Sequence, residues 1–428
     1  MQIHVVTAGQ TIYGIANAYN VSPNEIIEAN QLDAPNQLVV GQALVIPITG
    51  SYYWVQSGDS LYSIGQKFDI SAQELARINN ISIDAPLNVG LRLYIPPQQT
   101  KRFVASNAYI EPRGSTVSPA LQNSAREASP YLTYMAPFSF EVNRDGSLKE
   151  PPLNNFNDIV NATGTTLMMV LTNLENGEFS TDLARVILND MTVQNNLLNN
   201  ILNTANRLNF GSIHFDFERL RPEDSSAYTR FLQRAKEMFT PQRLTTSIAL
   251  APKTSATQVG EWLTAHNYRE QGNAVDFVII MTYEWGYSGG PAQAVSPINQ
   301  VGNVLDYAIS EIPSNKILMG QNLYGYDWTL PFRPGTIARA VSPQQAIALA
   351  RRYNAIIQYD TTAQAPFFRY FDEMGRQHEV WFEDARSIQA KFDLIKTLRL
   401  GGISYWKLGL SFPQNWLLLE DNFKIYKI

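Results

Sequence analysis

The sequence predicts an α/β protein: a (β/α)8 TIM barrel with a small α+β insertion, preceded by two small βααβ modules. The N-terminal part repeats itself without a gap, and after "PPQQTKR" the pattern changes to apolar strands alternating with amphipathic helices. The stretch 330–384 is too long for an ordinary connection and reads as an inserted α+β element. A doubly wound parallel sheet is the alternative for the large domain.

The expected units are residues 1–48, 49–97 and 98–428. "VVTAGQTIYGIANAYN" lies over "WVQSGDSLYSIGQKFD", and Gly9/Gly58, Tyr13/Tyr62, Ile15/Ile64, Asn30/Asn79, Gly41/Gly90 and Pro47/Pro96 coincide. Each unit reads as strand, turn, helix, turn, helix, strand. Thr11 and Ser60 are placed to cap a first helix, and Ser22 with Glu25 and Ser71 with Glu74 have the spacing of capping boxes. Further on, strands are expected at 131–140, 165–173, 211–217, 244–251, 275–283, 316–324 and 401–408, with a weaker eighth near 144–150. Helical stretches such as "SAYTRFLQRAKEMF" and "PINQVGNVLDYAIS" fall between them.

Composition narrows the chemistry. At 428 residues the chain supports two or three domains, and its longest apolar runs are far too short to span a bilayer. A formal charge of −5 without a basic cluster argues against nucleic acid or an anionic membrane as a partner. There is no cysteine, and His4, His214, His266 and His378 lack the paired spacing of a zinc site, so neither metal nor organic cofactor is expected. The first basic residue after the start is Lys67, so no signal-peptide n-region is expected.

"GSIHFDFERL" (211–220) is the chemically informative stretch. A period of two places His214, Asp216 and Glu218 on one face and Ile213, Phe215 and Phe217 on the other. In a barrel that polar face points toward the C-terminal mouth, where active sites sit. Two carboxylates this close repel, which pushes one toward its protonated form, the state that protonation of a glycosidic oxygen needs. A bland reading also exists, in which Glu218 is a strand-end carboxylate paired with Arg219. "GYSGG" (286–290) matches the G-x-S-x-G of serine hydrolases, but Ser288 is followed by Gly289, Gly290 and Pro291 where a nucleophile elbow requires a helix.

The repeats resemble LysM modules, which bind N-acetylglucosamine polymers such as peptidoglycan and chitin. That resemblance implies glycan contacts from Gly9, Thr11 and Asn30 and from Gly58, Ser60 and Asn79, although turn and capping chemistry alone accounts for these residue types. The D-x-E of "HFDFE", "MTYEWGY" and "GGISYW" resemble family 18 glycoside hydrolases at strands four, six and eight. "GGPAQAVSPINQVGNVLDYA", "ILMGQNLYGYDW" and "VWFEDARSIQAKFDLI" resemble a narrower group, the cortex-lytic N-acetylglucosaminidases of spore-forming bacteria.

The family resemblance implies a retaining reaction in which the substrate's acetamido oxygen attacks the anomeric carbon. Glu218 would be the acid and then the base, Asp216 would hold the acetamido N–H, and Tyr283 would donate to the acetamido oxygen. Trp406 would form the floor beneath the sugar, with Met281 and Glu284 beside it. His214 stands where many members carry an acid, and a hydrogen bond supporting Asp216 is its expected part. Glu284 stands where Asp is usual. Asn173, Asn322, Tyr324 and Trp328 are further candidates for the groove. The implied substrate is peptidoglycan of the spore cortex during germination, with the enzyme made in the mother-cell cytoplasm and acting at the spore coat or cortex surface. A chitinase, a general wall autolysin and a catalytically silent lectin are the rival readings.

Overall fold

The computed structural model describes residues 1–97, 100–260 and 263–428. Eight parallel strands form the large domain: β1 (Phe103–Ile110), β2 (Tyr134–Pro137), β3 (Thr166–Thr172), β4 (Ser212–Asp216), β5 (Thr245–Leu250), β6 (Phe277–Ile280), β7 (Ile317–Asn322) and β8 (Gly402–Trp406). Each pairs with the next, β8 returns to β1, and the ring is closed as the predicted (β/α)8 barrel.

One expectation needs correction. The first strand is Phe103–Ile110, whereas the region near 144–150 contributes only a two-residue hairpin strand, Leu148–Lys149, paired with Phe140–Val142. "FVASNAYI" hides its strand character because Ser106 and Asn107 interrupt the apolar run. In the fold both are fully buried, and Asn107 donates to Ser404 of β8 at 2.8 Å.

Period-two alternation explains the packing on both sides of the wall. The barrel interior is filled by Tyr134, Met168, Val170, Phe277, Ile279 and Leu318, with Tyr109 and Trp406 against them. Outside, Phe215 and Phe217 pack on the helix Ser225–Phe239. Phe215 meets Phe231 at 5.1 Å, and Phe217 stacks on Tyr228 at 5.8 Å. This outward apolar anchoring leaves the polar face of β4 turned inward.

Between β7 and β8, five antiparallel strands and the helix Pro343–Arg352 form the inserted element. Its sheet begins at Gly325, ahead of the expected limit at 330, and runs to Trp381 with its own core of Val341, Ile347, Phe368, Val380 and Phe382.

Each N-terminal module pairs its first and last strands antiparallel around two helices, Gln2–Val5 with Ala43–Ile46 and Ser51–Trp54 with Arg92–Ile95. Ser22 and Glu25 form the expected reciprocal cap. Ser71 accepts from Glu74 N–H, but Glu74 turns instead to Arg77, and the second module's reciprocal cap is Ser60 with Ser63. A nearby guanidinium competes better for the glutamate than one backbone N–H does.

Candidate active site

A cavity of about 750 Å³ opens at the C-terminal ends of the strands. Asp216, the last residue of β4, and Glu218 just past it line one side. Tyr283 and Met281 follow β6 and line another, while Trp406 ends β8. Met281 and Tyr283 therefore stand beyond the strand expected at 275–283, which stops at Ile280.

Burial dominates the electrostatics. Both carboxyls are raised above the usual carboxylate range: Asp216 by burial, and Glu218 by burial and then by the charge of Asp216, with Arg219 opposing. Asp216 Oδ1 is buried with no hydrogen-bond partner among the described residues. Such an acceptor at a cavity wall is suited to a donor brought by the ligand. The Tyr283 hydroxyl is pushed well above its ordinary value by burial and by the charges of Asp216, Glu218 and Glu284, so it remains a donor.

Glu218 is aimed by its backbone. Its N–H donates to Asn173 Oδ1 at 3.0 Å, and its carbonyl accepts from Asn173 Nδ2 at 2.9 Å. Asn173 is fully buried, so it positions Glu218 and does not line the cavity, contrary to expectation. An Asn173→Ala variant should lower kcat by about 10- to 100-fold with little change in KM, because small displacements of a reacting group are costly. Steady-state kinetics on a soluble fragment checks this.

His214 also needs correction. Its Nε2 lies 2.8 Å from Tyr109 Oη and its Nδ1 lies 2.8 Å from Ser247 Oγ, which leaves neither nitrogen for Asp216. Burial pushes it down to about 3, so it is neutral and offsets no charge. It is wholly buried and braces Tyr109, which does line the cavity.

Other candidates divide the same way. Glu284 lines the cavity, with φ +65°, and is held by the hydroxyls of Tyr324 and Tyr326. Tyr324 and Trp328 are buried behind it among the apolar residues of the insertion. Asn322 is fully buried, donates to Tyr324 O at 2.6 Å and accepts from Gln321, so it supports the backbone and not a sugar. Ser288 is followed by a turn closed by Gly290 N–H on Tyr287 O, with no helix behind it, which excludes the elbow geometry.

In the modules, Asn30 is likewise spent internally. Its amide donates to Ile26 O and Val45 O and accepts from Val45 N–H, and Asn79 repeats the pattern with Leu75 and Tyr94. Both asparagines tie the second helix to the last strand, so the expected glycan contact is corrected to a structural one. Thr11 and Ser60 cap helices, while Gly9 and Gly58 sit in exposed turns.

Several lining residues escaped the sequence reading: Tyr109 of β1 and Glu111 just past it, Phe138 after β2, Leu174 and Phe179 of the hairpin after β3, and His266. Tyr109, Phe138 and Trp406 form one aromatic floor, with Trp406 edge-on to Phe138 at 4.9 Å and to Tyr109 at 5.3 Å. Recognising β1 would have exposed Tyr109 as a strand-end residue. Phe138 and the hairpin carry no local signal.

A barrel mouth with two buried carboxyls and an aromatic floor lining one cavity is the architecture of a glycosidase. The chain belongs to the glycosyl hydrolases family 18, whose model matches residues 98–410, and it carries two LysM domains at 4–47 and 53–96. It is 64% identical to a cortical fragment-lytic enzyme of Bacillus subtilis (strain 168), over 100% of this chain and 99% of that protein. The crystal structure of the spore cortex-lytic enzyme SleL of Bacillus megaterium QM B1551 superposes with a TM-score of 0.93 at 55% identity, covering 100% of this chain and 99% of that one. The SleL structure from Bacillus cereus gives 0.91 at 52% identity, covering 100% and 98%. The protein is thus a family 18 glycosidase.

Proposed function

We propose that this glycosidase cleaves the β-1,4 bond following N-acetylglucosamine in peptidoglycan, acting on spore cortex fragments during germination by a retaining, substrate-assisted reaction. One observation carries the mechanism: Asp216 ends β4, Glu218 stands just past it, and both line the same cavity, so in the proposed pose they meet the sugar from one side. A protein nucleophile would need a second carboxyl across the sugar. The other carboxylates of the cavity are engaged elsewhere, Glu111 with Lys407 and Glu284 with two tyrosines.

Protonated Glu218 gives its proton to the glycosidic oxygen as the C–O bond breaks, and the acetamido oxygen of the same sugar bonds to the anomeric carbon. Ionised Asp216 accepts the acetamido N–H and stabilises the positive oxazolinium, while Tyr283 donates to the acetamido oxygen. Glu218, now a carboxylate, takes a proton from water, whose oxygen bonds to the anomeric carbon as the bond from the acetamido oxygen breaks, restoring the acetamide with net retention. Trp406, Tyr109 and Phe138 supply the apolar floor. LysM anchoring holds the enzyme on an insoluble N-acetylglucosamine polymer at the spore, which raises local substrate concentration without stabilising the transition state.

Mass spectrometry of products from purified cortex, vegetative wall and chitin tests this reading. New reducing-end N-acetylglucosamine in cortex fragments is expected. Cleavage of chitin alone would overturn the substrate assignment in favour of a chitinase.

A further inference from the structure

The two LysM modules share a sequence pattern but not an environment. In the first, the loop before the last strand is covered by the catalytic domain. Val40 O accepts from Ile357 N–H at 3.0 Å and Gly41 O accepts from Arg386 Nη2 at 3.1 Å. Val39 is buried in the core of the insertion, and a Cβ on Gly41 would lie 1.9 Å from Ile357 O. Around this contact, Arg351 clasps Asp33 at 2.5 and 2.9 Å and Gln344 donates to Asn30 O at 2.8 Å. The N-terminal ammonium pairs with Asp421.

The second module offers the same loop to solvent. Val89, the repeat partner of Val40, is 68% exposed, and a Cβ on Gly90 would meet nothing within 4 Å. Gly41 and Gly90 have nearly the same φ, +87° and +85°, so the backbone shape is common to both loops and only the covering differs. Gly90 N–H donates to Val55 O at 2.8 Å, which sets this loop beside the exposed turn containing Ser57. Among the described residues, no donor reaches Val89 O or Gly90 O, and no hydrogen bond or ion pair joins residues 54–96 to the barrel or insertion. The second module instead rests on the first, through Gln2 with the Tyr52 backbone and Tyr19 edge-on to Trp54 at 5.2 Å.

We infer that the modules have separate tasks. The first is a rigid strut whose loop before the last strand, one of the two loops between which the LysM resemblance places the sugar, is filled by the catalytic domain, and the second alone holds the glycan. In the first module the loop carbonyls take an amide N–H and a guanidinium N–H. The same carbonyls in the second therefore suit a ligand rich in amide and hydroxyl donors, as an acetamido sugar is. The division rests on the reading that the protein works on an N-acetylglucosamine polymer. It makes anchoring monovalent, with no avidity between modules, and fixes the anchor at one distance from the catalytic mouth.

Full-length Ala8→Trp and Ser57→Trp proteins place the same bulky ring on the same exposed turn of each module. Ser57→Trp should sediment with insoluble peptidoglycan about tenfold less strongly than wild type, the order of losing one or two hydrogen bonds. Ala8→Trp should sediment as wild type does. Both should melt with the wild type and cleave a soluble fragment at its rate. Equal losses in both variants, a loss with Ala8→Trp alone, or no loss in either would overturn the division. If wild type sediments in this module-dependent way yet leaves cortex fragments uncut, the substrate reading falls and the division stands.

Discussion

Glu218→Gln protein should lose roughly 10²–10⁴-fold or more in turnover of cortex fragments, the usual contribution of a general acid, while sedimenting with insoluble peptidoglycan as well as wild type. The amide has nearly the shape of the acid but no proton to give and no base to become. Turnover equal to wild type would remove Glu218 from the chemistry. A second readout separates this from a folding defect. Burial and the charge of Asp216 raise the Glu218 pKa in the folded protein. The unfolded chain therefore releases this proton at lower pH, near its ordinary value of about 4.3. Stability from the protonated carboxyl is present below that value and is lost as pH rises through the raised folded value. Glutamine cannot ionise, so the variant should melt above wild type at pH 8, and the difference should shrink toward pH 4. A variant that melts lower at pH 8 would mean that the carboxyl is not held against its charge.

Lys391→Met should destabilise the protein by about 3–5 kcal/mol, the cost of leaving a buried carboxylate without its partner. Lys391 and Glu383 are 0% and 1% exposed, with Nζ to Oε2 at 3.2 Å, and Ser387 also donates to Glu383 at 2.6 Å. The pair joins the end of the insertion to the helix Ala385–Thr397 that leads into β8. The double variant Lys391→Met/Glu383→Gln should recover much of the loss, because it removes the stranded charge. Denaturant unfolding of the three proteins measures this, and a single variant as stable as wild type would show that the site relaxes or admits water.

The motif "GSIHFDFERL" was legible because both of its faces had consequences. Phe215 and Phe217 demanded an apolar wall, and the barrel supplies it in Tyr228 and Phe231. His214, on the same face as Asp216, was legible as a buried residue but not in its contacts. Its partners, Tyr109 and Ser247, come from β1 and β5, so no spacing along β4 points to them. Asn30 and Asn79 show the reverse case. The LysM resemblance implied ligand contact for them, yet their recurrence serves a hydrogen-bonded tie that holds each small module's last strand.

By itself the sequence determined the local and periodic features: the duplicated modules, the strand–helix alternation, and the carboxyl pair at the end of β4. These depend on spacings of a few residues, which side-chain periodicity makes readable. Only the tertiary structure decided which polar groups face the cavity and which face each other. It sent Asn173 to the backbone of Glu218, set Tyr109 and Phe138 under Trp406, and covered one module's loop while leaving the other's open. The reason is physical. Each of these contacts joins strands or domains far apart in the chain, and burial settles it by driving most enclosed polar groups to whichever partner the closed barrel brings near.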